Sequence, residues 1–201
     1  MSTRIGRHAL VLAAGASRRF GGGKLVAPWR GEPLVRSSVR SALATNVERV
    51  TVVTGADDER IAEALAPLRQ TRLKIIHAED WSEGMAASLR AGIAALPADA
   101  GAVAIFLGDM PLIPEGLADR LLDATEGGAP AAAIRSPHGP AHPVVFHHSV
   151  FGQLLTLRGD TGARVLLKSL GADVFYIESA DPGAVFDIDH PNELTAGQPL
   201  D

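Results

Sequence analysis

The 201-residue sequence contains no cysteine. Disulfides, thiolate zinc sites and cysteine nucleophiles are therefore excluded. Aromatic residues are scarce, at six Phe, two Trp and one Tyr, too few to stack bases along a nucleic-acid strand. There is no long basic run: 19 Lys and Arg stand against 23 Asp and Glu, for a net charge of −4. A nucleic-acid binder usually has the opposite sign. No stretch reaches the roughly 18 apolar residues of a membrane-spanning helix, so no membrane partner is expected. The first residues superficially resemble a secretory signal. However, the apolar run from Ala9 to Ala14 is short and Arg18 and Arg19 follow directly, so a cytoplasmic location is expected. What is present, 46% hydrophobic and 21% charged residues, is ordinary for a globular protein. The length predicts a single domain over 1–201, burying about 70% of its unfolded surface.

Residues 8–14 (HALVLAA) form a nearly continuous apolar run, which suits a strand buried on both faces of a parallel sheet. Residues 50–54, 73–78 and 102–107 read the same way. Helical spacing falls between these runs. Pro33 suits an N1 position, with Leu34, Val35, Val39 and Leu43 on one face. Ile61, Leu65 and Leu68 follow the acidic start Asp57, Asp58, Glu59. Ser82 is the expected N-cap of a third helix, whose stripe of Met85, Leu89, Ile93 and Leu96 is assigned to the core. Pro114 opens a fourth, with Leu117 and Leu121 inward. This alternation predicts an α/β fold with a mostly parallel central sheet. After about residue 128 the rhythm changes. Short strands at 131–134 and 143–147 flank a Pro/Gly-rich loop, RSPHGPAH. Residues 162–170 read as helix, 174–177 as strand and 185–189 as a last extended piece. Pro191 begins a turn or helix. The part to about 128 reads as nucleotide-binding, and 129–201 as the part that closes an acceptor site.

The first strand leads into LAAGASRRFGGGK, residues 12–24. In open α/β sheets, ligands bind beyond the carboxyl ends of the strands. A loop there with Gly15, Gly21, Gly22 and Gly23 offers many backbone N–H groups to an anion. Arg18, Arg19 and Lys24 add charge suited to phosphate. A polyphosphate is the expected ligand; the bland alternative is a glycine turn with solvated cations. Two familiar loops do not fit. A P-loop needs Gly six residues before the Lys and Ser or Thr after it, but Arg18 and Leu25 stand there. No GxGxxG follows this strand. Asp109 comes directly after the run AVAIFL. A carboxylate at that place suits Mg²⁺, which takes one or two carboxylates and completes its shell with water and phosphate oxygens. The alternative is a helix cap. DIDHP (187–191) offers Asp187 and Asp189, which strand alternation would put on one face.

The loop LAAGxSxRxGxxK resembles the signature of nucleotidyltransferases of the nucleotide-diphospho-sugar transferase fold. The likeness continues through EGMAASLRAG, GDMP, AHPVVF, GDTGAR and DIDHPNEL in chain order, and covers nearly the whole sequence. Among MobA-like NTP transferases, the chain is most similar to the molybdenum cofactor cytidylyltransferases. That resemblance implies a Rossmann-like three-layer α/β/α fold. It implies transfer of a nucleoside monophosphate, CMP from CTP, to a phosphorylated acceptor such as molybdopterin, with release of pyrophosphate. LAAG rather than LAGG points to cytosine over guanine. The resemblance makes Asp109 and Asp189 the Mg²⁺ ligands, and Arg19, Lys24 and Asp109 the catalytic groups. Leu12, Ala13, Ala14, Gly15, Ser17, Arg19, Lys24 and Gly108 would bind the nucleotide, with Gly84 and Ser88 on one smooth helix face. Thr54 and Gly55 would line the base pocket. His142, Asp160, Arg164 and Asp187 would hold the acceptor. His142 follows Ala141 where the relatives usually carry Gly, a departure that restricts the backbone. A molybdoenzyme is the client such a product implies. The rival expectations are a nucleotidyltransferase for a guanylyl, sugar-phosphate or alcohol-phosphate reaction, and a non-catalytic nucleotide- or cofactor-delivery protein.

Overall fold

The computed structural model describes residues 6–137 and 139–194. The elements follow in chain order. First come β1 (Gly6–Ala13), β2 (Pro28–Trp29), β3 (Glu32–Pro33), α1 (Leu34–Ala44) and β4 (Arg49–Thr54). Next are α2 (Asp58–Leu65), β5 (Leu73–His77), α3 (Met85–Ala94), β6 (Ala100–Leu107) and α4 (Leu117–Glu126). The last are β7 (Ala131–Ser136), β8 (Gly139–His147), α5 (Phe151–Leu154), α6 (Arg164–Leu170) and β9 (Val174–Glu178). Seven strands form one sheet in the order β5-β4-β1-β6-β8-β7-β9. Only β8 runs antiparallel to its neighbours.

Alternation along the central strands divides the core in two. Ala9, Val11, Ala102, Ala104 and Phe106 face α1, α2 and α4, whose Leu34, Val39, Ile61, Leu65 and Leu121 cover that side. Leu10, Val103 and Ile105 face the other way, against Leu89 and Ile93 of α3, Leu154 of α5 and Leu167 of α6. Both faces of β1 and β6 are thus dry, which is why their sequences read as unbroken apolar runs. The result is the expected three-layer α/β/α arrangement around a mostly parallel sheet. At the amino ends of the strands, buried Arg7 donates to Asp123 and Glu126 on α4 at 2.7 Å each. This contact ties β1 to that helix.

Several local expectations are corrected. Pro33 lies in a small hairpin, β2–β3, instead of at N1; Arg30 and Gly31 turn it with positive φ of 50° and 84°. Ser82 does not cap α3. It sits in a 3₁₀ turn, Trp81–Glu83, and α3 starts after Gly84, whose φ of 116° breaks the chain direction. The fourth helix begins at Leu117 after Gly116, three residues beyond Pro114. Most of RSPHGPAH is strand: β7 extends to Ser136 and β8 starts at Gly139; His138 lies outside the described residues. Residues 185–189 form no strand, since a 3₁₀ turn at Pro182–Val185 leads into an unpaired extended segment.

Candidate functional site

From β1 the chain crosses to β4 on one side and later returns to β6 on the other. That reversal is the topological switch point where open α/β sheets bind ligands. A cleft of about 570 Å³ opens there, between the loops after β1 and β6.

The β1 loop forms one wall. Ser17 is held left-handed at φ 52°, a conformation that costs a non-glycine residue about 1–3 kcal/mol. Its carbonyl receives the N–H groups of Phe20 and Gly22, both at 3.0 Å. The loop then passes Gly21, Gly22 and Gly23, all at positive φ, and delivers Lys24 back to the cleft. Among the described residues, the backbone N–H groups of Gly15, Ala16, Ser17 and Arg18 donate to no protein acceptor. All four residues line the cleft. They form an anion-binding concavity flanked by two arginines.

The opposite wall carries the carboxylates. Gly108 continues the β6 ladder, its N–H donating to Leu12 O at 3.0 Å. The hydroxyl of Ser38, fully buried on α1, reaches both Gly108 O at 2.9 Å and Met110 O at 3.2 Å. Asp109 is thereby pinned from below on both sides. Its carbonyl accepts the N–H of Ile188 at 3.1 Å, which brings in the 187–189 segment. Glu193 accepts the N–H groups of Asp189 and His190 at 2.6 and 2.8 Å; these bonds hold its carboxyl below the usual range. Phe186 packs on the buried Trp29, ring centroids 5.9 Å apart.

The charges meet here. Lys24 Nζ lies 2.6 Å from Asp109 Oδ2 and 3.5 Å from Asp189 Oδ1. Arg19 Nη1 lies 3.3 Å from Asp189 Oδ2. Asp187 does not line the cleft. Burial, and then the nearby charges of Asp109 and Asp189, push its carboxyl above the usual range.

Leu12, Ala13, Ala14, Gly15, Ser17, Arg19, Lys24, Gly84, Ser88, Gly108, Asp109, Asp160 and Asp189 all line the cleft. Thr54 and Gly55, expected in the base pocket, are not in the cleft lining. Thr54 is fully buried; its hydroxyl bonds Asp58, the first residue of α2, and Ile76 O. Gly55 is covered by Trp81, which itself lines the cleft. Met85, expected in the core, is exposed and lines the cleft; it is the first residue of α3, beyond the end of the sheet.

The GDTGAR loop is fastened to the start of α3. A Cβ on Gly84 would lie 2.7 Å from Gly159 backbone atoms, and Ala86 N–H donates to Gly159 O at 3.2 Å. Asp160 accepts from Met85 N–H at 3.4 Å, capping α3 rather than the nearer α6, whose cap has no side-chain bond. Arg90 completes the clamp, donating to Leu157 O at 2.8 Å and Glu83 at 2.9 Å. His142 and Arg164 lie outside the cleft lining. The His142 imidazole is half-buried, and desolvation, helped by the Arg164 charge, holds it at about 4.

Three layers, a glycine loop with unpaired N–H groups and carboxylates facing it across the switch point define a nucleotidyltransferase of the Rossmann-like type. The chain belongs to the MobA-like NTP transferase domain family, which residues 9–174 match. It is 32% identical to the purine catabolism protein PucB of Bacillus subtilis, over 90% of this chain and 91% of that protein. It is also 32% identical to nicotine blue oxidoreductase of Paenarthrobacter nicotinovorans, over 92% and 93%. Identity to the molybdenum cofactor cytidylyltransferase of Escherichia coli is 27%, over 92% of each. The crystal structure of Rv0371c from Mycobacterium tuberculosis superposes with a TM-score of 0.84 at 26% identity, covering 96% of this chain and 97% of that one.

Proposed function

We propose that this protein is a divalent-cation-dependent cytidylyltransferase, transferring CMP from CTP to a phosphorylated acceptor such as molybdopterin. The observation that carries it is the meeting of Arg19 and Lys24 with Asp109 and Asp189 at the mouth of the N–H-lined loop. Relatives of similar identity bear names from different chemistries, so the reaction is argued from the site, the acceptor from the resemblance and the base from the LAAG loop.

An acceptor phosphate oxygen attacks the α-phosphorus of CTP, forming one P–O bond. The bond to the β-phosphate oxygen breaks, and pyrophosphate leaves. The attacking phosphate is already ionised at neutral pH, so no general base is needed, and catalysis rests on positioning and electrostatics. The free N–H groups of residues 15–18, with Arg19 and Lys24, hold the triphosphate and the charge building on the leaving group. His142, Asp160, Arg164 and Asp187 form the acceptor side. His142 stays neutral well below pH 7, so it offers one donor and one acceptor without charge.

The donor set suits a hard cation: two aspartate carboxylates already converge on a single positive group, the Lys24 ammonium. Mg²⁺ takes one or two carboxylates and fills its remaining places with water and phosphate oxygens. Asp109 and Asp189 would hold it, and when bound it neutralises charge on the α-phosphate.

The test is pyrophosphate release from each of the four NTPs with Mg²⁺, with and without molybdopterin. Release from CTP only when the pterin is present is the expected result. Release from GTP instead overturns the base assignment, and CTP binding without release favours a delivery protein.

A further inference from the structure

The two ends of the cleft differ in chemistry. One holds Arg19, Lys24, Asp109 and Asp189. The other is walled by Trp81, which follows β5 and packs over Gly55 just beyond β4, on the far side of β1 from Asp109. A Cβ on Gly55 would fall 2.7 Å from Trp81 Cβ and Cγ and 2.6 Å from Ala14 O. Only glycine lets the indole lie against this end of the cleft.

Apart from its packing over Gly55, the Trp81 side chain is half-buried and belongs to neither core cluster, and among the described residues it contacts no other ring. Among the described residues its N–H has no hydrogen-bond partner. Beside it, Ser88 is 5% exposed and lines the cleft, and its hydroxyl likewise has no partner among the described residues. An aromatic side chain bordering the cleft is available to stack on a ligand ring, and the Ser88 hydroxyl, which lines the same cleft, is available to hydrogen-bond a ligand. One ligand end satisfies both: a planar heteroaromatic ring bonded to a hydroxyl-bearing sugar.

Resting on the nucleotidyltransferase reading, we propose that Trp81 is the stacking platform for the nucleobase and that Ser88 hydrogen-bonds the adjoining nucleoside. Every base has a π-face, so such a platform supplies affinity without choosing the base. Selection among bases is then left to polar groups at the ring edge, and Trp81 variants shift all nucleotides together.

The protein has two tryptophans, and Trp29 is only 1% exposed, so ligand-dependent emission reports on Trp81. The experiment titrates the full chain with CTP, GTP and inorganic tripolyphosphate in the presence of Mg²⁺, following tryptophan emission and calorimetric heat. CTP and GTP should quench the emission, and tripolyphosphate should bind with little quenching. Trp81→Phe should keep nucleotide affinity within a few-fold and lose the quenching. Trp81→Ala should lose roughly 5- to 150-fold in affinity for both nucleotides, the usual range for a lost stacking partner, with tripolyphosphate unaffected. Ser88→Ala should weaken CTP and leave tripolyphosphate unchanged. Unaltered CTP affinity in Trp81→Ala overturns the platform while the nucleotide site stands. Absence of nucleotide binding in the parent protein overturns both.

Discussion

On the proposed reading, the Lys24 ammonium and a divalent cation compete for the same two carboxylates. Lys24 Nζ sits 2.6 and 3.5 Å from Asp109 and Asp189, and its side chain is only 10% exposed. Two unit charges about 4 Å apart interact by about 1 kcal/mol even at the dielectric of bulk water, so a divalent ion facing the ammonium is opposed by about 2 kcal/mol. At about 1.4 kcal/mol per tenfold, that is a factor of roughly 30 in affinity. Lys24→Met removes the competing charge and keeps an unbranched side chain only one atom shorter. It should bind Mn²⁺ roughly 30-fold more tightly than the parent in the absence of nucleotide. The same change removes a cation from the leaving pyrophosphate, and turnover should fall by about 100-fold or more, as when an oxyanion-hole donor is lost. Opposite signs for metal affinity and rate form the signature. Electron paramagnetic resonance of Mn²⁺ measures the first, and pyrophosphate release the second. If Lys24→Met binds Mn²⁺ no better than the parent, Asp109 and Asp189 are not the metal ligands. If turnover is unchanged, Lys24 plays no part in the transition state.

Ser38→Ala should cost about 1–3 kcal/mol by leaving the buried carbonyls of Gly108 and Met110 unpaired, and should lower kcat more than KM because Asp109 loses its support; a chemical melt with a kinetic assay checks both. Gly84→Ala combines strain at φ 116° with a contact at 2.7 Å on Gly159. It should lower stability by more than the roughly 1–3 kcal/mol of strain alone and raise the KM for the acceptor through displaced Asp160, and wild-type kinetics would refute that link. His8 is 3% exposed, and neither ring nitrogen has a partner among the described residues. Burial holds its imidazole below the ordinary value despite Glu48 and Asp99 nearby, so below about pH 6.5 the unfolded chain takes up a proton that the folded chain resists. This group therefore costs stability as the pH falls through that value. His8→Leu should raise the urea midpoint at pH 7.5 and raise it further at pH 5; a difference that does not grow on acidification would contradict the assignment.

The parts legible in sequence were those set by local pattern. Dry strands such as 8–14 and 102–107 betray themselves because both faces are apolar, and the glycine loop sits where β1 must end. Asp109 was legible because it terminates such a strand. The meeting of Lys24 with Asp189, 165 positions apart, followed from family resemblance and not from spacing, since it depends on an unpaired segment held by Ile188 N–H and Glu193. Helical spacing misplaced Met85: periodicity tells which face a residue shares, but not that the first turn of α3 projects past the sheet. Thr54 read as a cleft residue because it ends a strand, yet its hydroxyl is consumed in tying β4 to β5 and α2. Trp81 belongs to no periodic pattern, and its meaning appears only once Gly55 lies beneath it.

The antiparallel course of β8 gives the rim of the sheet two kinds of boundary. Strands β1, β4, β5 and β6 leave the sheet there and return only through crossovers of roughly a dozen or more residues, so their loops have room to wrap a ligand. Strand β7 also ends at that rim, and β8 enters the sheet there from Gly139. His142 is thus carried within the strand itself and not on a crossover loop. A change of length within β8 would shift its register against β6 and β7 and turn its side chains to the other face, so this part of the rim varies by substitution and not by insertion.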